Sequence, residues 1–285
     1  MQSTLDGAGG GAHVRRAGGA VALYGVLIAA QVRSQMQYKT SFVLEALGSF
    51  LGNVAEFAAI LIFFQRFETI GGWRVPEVAL LYGLVALPFA VVHLFGQGLD
   101  EFNQHIRQGT FDQMLVRPRT AFLQVLASKF QLRQLGRLGE GLLVLGLALW
   151  WLDAWRRWGA SEWLLAGWTM VGGVLFFLGL MVFGATLCFW TVESIEAINI
   201  LTYGGSEMAR YPLHIFGDRL RRLFVYVVPL AFVNYVPTVA LLDRPVPFGL
   251  PAWAPFASPL VCGLVLAGGM AAWRVGVRHY LSTGS

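Results

Sequence analysis

The chain has 285 residues, 56% of them hydrophobic and 13% charged, with a formal net charge of +5 at pH 7. Soluble domains carry about 25% charged residues, so a water-soluble fold of this size is excluded for want of polar surface. Apolar runs long enough to cross a hydrocarbon core of about 30 Å recur, and the period-two alternation of a membrane barrel is absent, which leaves an all-α polytopic membrane protein. The basic excess is almost entirely Arg, with Lys only at Lys39 and Lys129. No basic stretch is interleaved with base-stacking aromatics, so the charge reports topology and no nucleic-acid partner.

Residues 1–19, rich in Gly and Ala, are expected to be disordered in the cytoplasm, leaving 20–285 as a single membrane domain. Arg15-Arg16 followed by AVALYGVLIAA mimics a signal peptide, but it runs into QVRSQMQYK without a small-x-small cleavage site. A helix along the cytoplasmic interface is the better reading, with Arg33 and Lys39 snorkelling.

The first span is expected at about 42–64 and carries EALGSFLGNVAE. At 100° per residue, Glu45, Gly48, Ser49, Gly52 and Glu56 share one face, with Asn53 just beyond it. A carboxylate near the membrane centre costs about 2.5–3.5 kcal/mol on insertion scales, so this stripe must avoid lipid. Gly48 and Gly52 let another backbone approach. The stripe is either a helix–helix or protomer interface, or the polar wall of a substrate path. The second span, 77–98, contains Pro88, expected to kink it, and His93, expected to be buried and hydrogen-bonded.

The polar stretch LDEFNQHIRQGTFDQMLVRPR at 99–119 then interrupts the apolar pattern. Gly109 can close one helix in the left-handed conformation, and Thr110 with Gln113 reads as a capping box opening the next. Phe111, Met114 and Leu115 then form an apolar knob, ringed by Arg107, Asp112, Arg117 and Arg119, until Pro118 ends the helix. Too short to be stable alone, it must pack on the chain's own spans or on a soluble partner.

The third span, 126–152, is entered through Lys129, Arg133 and Arg137 at i, i+4 and i+8. These read as a basic stripe at lipid headgroups, with anionic-substrate recruitment as the rival, and Arg137 pairs locally with Glu140. Trp150, Trp151, Trp155, Trp158 and Trp163 crowd the turn before the fourth span, 163–190, as an interfacial belt would. Between 191 and 242 two readings stand. In one, RYPLHIFGDRLRR is cytoplasmic and LFVYVVPLAFVNYVPTVALL is span five. In the other, span five is 191–213, and 215–242 is a re-entrant pair of helices broken at Pro229 and Pro237. The arginines Arg210, Arg219, Arg221 and Arg222 favour the first. Glu193, Glu196 and Glu207 are scattered and read as facing a partner or headgroups. With the last span at 255–273, both readings give six spans. The positive-inside rule puts both termini and residues 99–125 in the cytoplasm.

IRQGTFDQMLVRPR resembles the I-R-x-G-x-x-D-x-x-L-x-R-P signature of type-two ATP-binding-cassette (ABC) exporter permeases, the ABC-2 family transporter proteins. QYKTSF before span one, FW closing span four and YPLHIF…LRRLFVYVVPLAFVNYVPTVALL extend the likeness. The resemblance implies the permease subunit of an exporter in the inner membrane of a prokaryote. Its partners would be two copies of a cytoplasmic ABC ATPase, a second permease subunit, identical or paralogous, and membrane lipids. It implies a coupling helix between spans two and three, on which Arg107, Gly109, Phe111, Asp112, Met114, Leu115, Arg117 and Pro118 would meet the ATPase. It also favours the re-entrant reading, with Pro212, Pro229, Asn234 and Pro237 in or beside that segment.

Searches for chemistry on this chain come up empty. There is no G-x-x-x-x-G-K-[ST], so ATP and Mg are expected on the partner and no cofactor here. No H-E-x-x-H, nucleophile elbow or Cys/His cluster is present, and the intraspan Cys188 and Cys262 match no metal spacing. No catalytic residue and no metal site are therefore expected. An ATP-independent secondary transporter, the main rival, would be expected to show inverted repeats or matched interrupted spans, and none is visible. A membrane-embedded enzyme lacks its catalytic constellation.

Overall fold

Tyr38 leaves helical geometry at φ −112°, ψ 63°, and that single residue divides the first long helix. The computed structural model describes residues 20–191 and 198–280; the expected disorder at 1–19, and Glu193 and Glu196, lie outside them. Helix α1 (Ala20–Gln35) passes through Met36–Tyr38 into α2 (Lys39–Arg66). Tyr24–Arg66 is a 43-residue helical run, about 65 Å at 1.5 Å per residue, twice the thickness of a hydrocarbon core. Helix α2, at 28 residues, is by itself long enough for one crossing.

A miniature hairpin follows. Gly71 and Gly72 take φ 55° and 79°, the double positive φ that a tight two-residue turn demands, and Ile70 and Trp73 exchange backbone bonds of 2.9 and 3.0 Å. Helix α3 (Val75–Asp100) opens with Pro76 in its first turn and Glu77 accepting the Arg74 N–H at 2.7 Å. Its apolar window is 89% buried, against 22% for the α2 run and for the last helix. Helix α3 is thus the axis of the bundle. His93 is buried there, with Nδ1 3.4 Å from Gln97 Oε1.

Helices α4 (Phe102–Arg107), α5 (Thr110–Val116) and α6 (Ala121–Leu126) form a polar block at one end. Helix α7 (Gln134–Trp151) packs on α3 and α2, and after α8 (Ala154–Arg157) helix α9 (Ala160–Leu187) packs on α3 and on the last helix. Glycines make these approaches close. A side-chain carbon at Gly83 would stand 2.7 Å from Leu145 Cβ, and one at Gly179 2.7 Å from Leu266 N. Gly179→Leu is therefore expected to cost about 1–3 kcal/mol by overpacking, read as a lower melting temperature of the purified protein. An unchanged melting curve would mean these helices do not approach so closely.

The third span differs from expectation. Residues 127–133 form turns and helix α7 begins only at Gln134, because the block before it is pinned against α3 at Gly98, where no side-chain carbon would fit beside Val125 O. Lys129, Arg133 and Arg137 therefore do not share one helix.

The next stretch travels the length of the bundle. Tyr203 O–H donates to Asp100 at 2.9 Å, by the polar block. Arg210 reaches Glu56 at 2.7 Å, and His214 Nε2 lies 2.7 Å from Gly71 O at the opposite end. Wide π-type turns at Ile200–Gly204 precede α10 (Gly205–Ala209). Helix α11 (Asp218–Arg222) with Leu223–Val227, and Leu230–Phe232 with α12 (Tyr235–Leu241), form a pair bent by 74°. Arg244 after it donates to Gly72 O at 3.1 Å, so the pair begins and ends at the hairpin end. Asn234 Nδ2, donating to Leu81 O at 2.9 Å and Ala209 O at 2.6 Å, ties its interior to the bundle. The break falls at Val228–Pro229, whereas Pro237 rides inside the first turn of α12, where its missing N–H has no partner to lose. Proline at 237 is not the second break expected of it.

After the 3-10 turn Ala254–Ala257, helix α13 (Ser258–His279) ends the described chain. Among the described residues there is no strand, and Cys188 and Cys262 are free and buried. Four helices are long and apolar enough to cross a membrane, or five if the bent pair counts as one. Helix α7 falls outside this set because Gln134, Arg137 and Glu140 occupy its first two turns.

Candidate functional site

The polar block is built from its own side chains. Glu101 receives Lys129 Nζ at 2.5 Å and Gln97 Nε2 at 3.2 Å. His105 places Nδ1 2.9 Å from Thr110 Oγ1 and Nε2 3.1 Å from Ser128 Oγ. Gln124 Nε2 donates to Met114 O at 2.9 Å and Arg119 O at 3.2 Å, supplying carbonyls that a helix end leaves bare. Gly109 adopts φ 66° and α5 stops at Val116, before Arg117-Pro118, as the sequence indicates. The capping box does not form: no side chain caps α5, and the Thr110 hydroxyl is taken by His105.

The apolar knob also needs correction. Phe111 is fully buried within this chain, ringed by Phe102 at 5.0 Å, Tyr280 at 5.2 Å, Phe189 at 5.5 Å and Trp273 at 6.3 Å between centroids. An aromatic flanked by four others gains more from its own core than a rim position could offer. Met114 is half-buried, and Asp112 is half-buried and engaged. What the block presents outward is Leu115, 41% exposed, and Val116, 84% exposed, flanked by Arg107, Arg117, Pro118 and Arg119. Helical spacing missed Val116 because it counted from Phe111. The block is tied to α1 as well: Gln31 Nε2 donates to Ser128 O at 2.9 Å, Gln35 Nε2 to Phe130 O, and Leu132 N to Gln35 Oε1 at 3.1 Å.

A second polar site lies within the bundle. Arg210, nearly buried, pairs with Glu56 at 2.7 Å and Glu207 at 2.8 Å, and stacks over the Tyr82 ring at 4.6 Å. Arg210 is thus an interior ion-pair partner and no loop charge, and Glu207 faces it instead of headgroups. Sequence reasoning missed this because Arg210 stands in a run of otherwise accessible arginines. Arg137 makes no ion pair with Glu140 among the described residues; its Nε donates to Asn53 Oδ1 at 3.2 Å and it covers Phe89 at 5.1 Å. Packing between α3 and α7 seals Glu140 away beside Tyr82, and its burial raises the cost of the charged carboxylate.

The α2 stripe splits. Asn53 is buried and donates to Ser49 O at 2.5 Å, while Glu45, Gly48 and Gly52 lie exposed. A side-chain carbon at either glycine would meet nothing within 4 Å, so this notch serves no packing among the described residues. Exposed Leu44, Leu47 and Leu51 extend the open face. Where the stripe meets α7, a cavity of about 430 Å³ opens, lined by Glu45, Ser49, Gln97, Arg133, Arg137 and Tyr203 among others. No group of His, Cys, Asp and Glu among the described residues could hold a metal ion.

Long apolar helices around a charged interior, with a folded polar block at one end, define a multi-pass helical membrane protein. Residues 50–284 match the family described as ABC-2 family transporter protein, and the chain belongs to that family. No curated protein and no solved structure matches it.

Proposed function

We propose that this chain is the permease subunit of an ABC exporter, working with a separate cytoplasmic ATPase. The observation that carries the reading is the polar block: a self-bonded unit that joins α1, α9 and α13 and presents Leu115, Val116 and flanking arginines outward. Six crossings follow, namely α2, α3, α7, α9, the stretch 198–213 and α13, with 215–242 a re-entrant hairpin from the outer side. Support for the hairpin is that both its ends reach the Gly71–Gly72 turn. Both termini and the polar block are cytoplasmic, in the inner membrane of a prokaryote.

Two ATPase copies, carrying ATP and Mg, sit beneath a pair of permeases, identical or paralogous. The second permease docks along the open α2 face, and the path runs between the two protomers along Glu45, Gly48, Ser49 and Gly52. ATPase closure is transmitted through residues about 101–118 and α1.

The purified chain alone is expected to hydrolyse no ATP, since it lacks a phosphate loop, and to gain hydrolysis when its ATPase is added back. Turnover by a preparation free of any ATPase subunit would overturn the proposal.

A further inference from the structure

We infer that the cavity between α2 and α7 is a binding site for a zwitterionic amphiphile whose headgroup bears both a phosphate and an ammonium. The inference rests on the permease reading for one point only, that the cavity borders the route of a transported molecule.

Arg133, at the N-cap of α7, and Arg137, four residues on in its first turns, both line the cavity. Neither makes an ion pair among the described residues. Arg133 Nε donates to Gln131 Oε1 at 3.0 Å and Arg137 Nε to Asn53 Oδ1 at 3.2 Å, so both terminal forks are left for a ligand. Planar forked guanidinium groups are the side chains best matched to phosphate oxygens. Glu45, from the facing helix, lines the same cavity and has no ion-pair partner among the described residues. Opposite charges on one cavity that do not pair with each other suit a ligand carrying both signs.

The neighbouring acids are already engaged. Glu101 is ion-paired with Lys129 at 2.5 Å, which offsets its charge, and Asp100 is turned to the Tyr203 hydroxyl at 2.9 Å. The apolar half of the ligand has a place too. Gly48 and Gly52 leave a shallow open lane on α2, bordered by exposed Leu47 and Leu51, and it runs from the cavity into the bundle's open face. A volume of about 430 Å³ falls within the range of small-molecule sites, about 300–1,000 Å³.

The test is equilibrium binding of short-chain lipids to the purified full-length chain in detergent, read by native mass spectrometry. Dioctanoyl phosphatidylethanolamine is expected to bind, and uncharged dioctanoylglycerol is not. Arg133→Gln and Arg137→Gln should each weaken phosphatidylethanolamine binding by about tenfold or more. Glu45→Gln should weaken phosphatidylethanolamine but spare dioctanoyl phosphatidylglycerol, which lacks the ammonium. Arg137→Gln removes the bond to Asn53 and lowers folded yield if that bond matters to folding; among the described residues the exposed Arg133 bonds Gln131 alone, so its variant keeps the test decisive. Equal binding of dioctanoylglycerol, or unchanged affinity in Arg133→Gln, would overturn the inference.

Vesicles containing the chain and its ATPase, with labelled phosphatidylethanolamine in the inner leaflet, separate the two sources of such a headgroup. ATP-dependent transfer marks a cargo. Arginine-dependent binding without transfer marks a resident leaflet lipid, which upholds the site and counts against the path reading instead.

Discussion

Phe111→Ala is expected to lower the stability of the folded chain by about 3–5 kcal/mol, the usual loss on truncating a buried aromatic. Phe111 sits at the meeting point of α4, α5, the end of α9 and α13, within 5.0–5.5 Å of three ring centroids. Its removal leaves a cavity lined by rigid rings that cannot collapse to fill it. Membrane abundance and melting temperature should both fall, while surviving protein keeps its ATPase-to-permease ratio. Val116→Asp should do the reverse. That side chain is 84% exposed, so folding is untouched, yet a carboxylate among Arg117 and Arg119 should weaken the docked ATPase by about 2 kcal/mol, roughly thirtyfold. Measuring abundance and co-purified ATPase in the same samples checks both. If Phe111→Ala stripped the ATPase at normal abundance while Val116→Asp did not, the outward face assigned to the block would be wrong.

Arg210→Met should also be destabilising. Removing one partner of a fully buried ion pair typically costs about 3–5 kcal/mol. The Glu56 and Glu207 side chains left behind are 53% and 55% exposed, so water recovers part of that and the loss should fall below this range. Here two carboxylates, Glu56 and Glu207, lose their common cation at once, and Tyr82 loses the guanidinium over its ring. Glu56→Gln should be milder, since Arg210 keeps Glu207 and the Glu56 side chain is half exposed. The triple variant Arg210→Met, Glu56→Gln, Glu207→Gln removes every charge in the cluster, and should recover much of what Arg210→Met loses. Thermal unfolding of the four proteins in one detergent gives the comparison. A melting temperature for Arg210→Met equal to that of the parent would show that the cluster contributes nothing to folding.

The long helices were legible from composition because a run of 18 or more apolar residues has few other fates. Gly109 and Pro118 were legible because each forces one local conformation whatever surrounds it. The failures share a cause. Phe111 and Leu115 share a face by periodicity, and periodicity cannot say which of two neighbours meets a core assembled from Phe189, Trp273 and Tyr280, residues more than seventy positions away. Arg210 carried the same charge as Arg219 and Arg222, and only the fold separates an ion-paired arginine from an accessible one. Thr110 and Gln113 had the spacing of a cap, yet His105 competed for the hydroxyl. Start positions failed where tertiary contact set them, as at Gln134, whose helix waits for the turns that Gly98 accommodates.

Two sets of bonds leave the polar block in different directions. Rings couple it to the end of α9 and to α13, and rings interlocked edge to face resist both tilting and sliding. Amides couple it to α1, through Gln31 and Gln35, and thence across Tyr38 to α2. A push on the block therefore reaches one group of helices through a stiff joint and the other through a compliant one. Under such a push the first group would travel with the load, and α2 would lag behind the bend at Tyr38. Unequal travel of two helix groups under one force is shear, and the cavity between α2 and α7 lies beside the lagging helix.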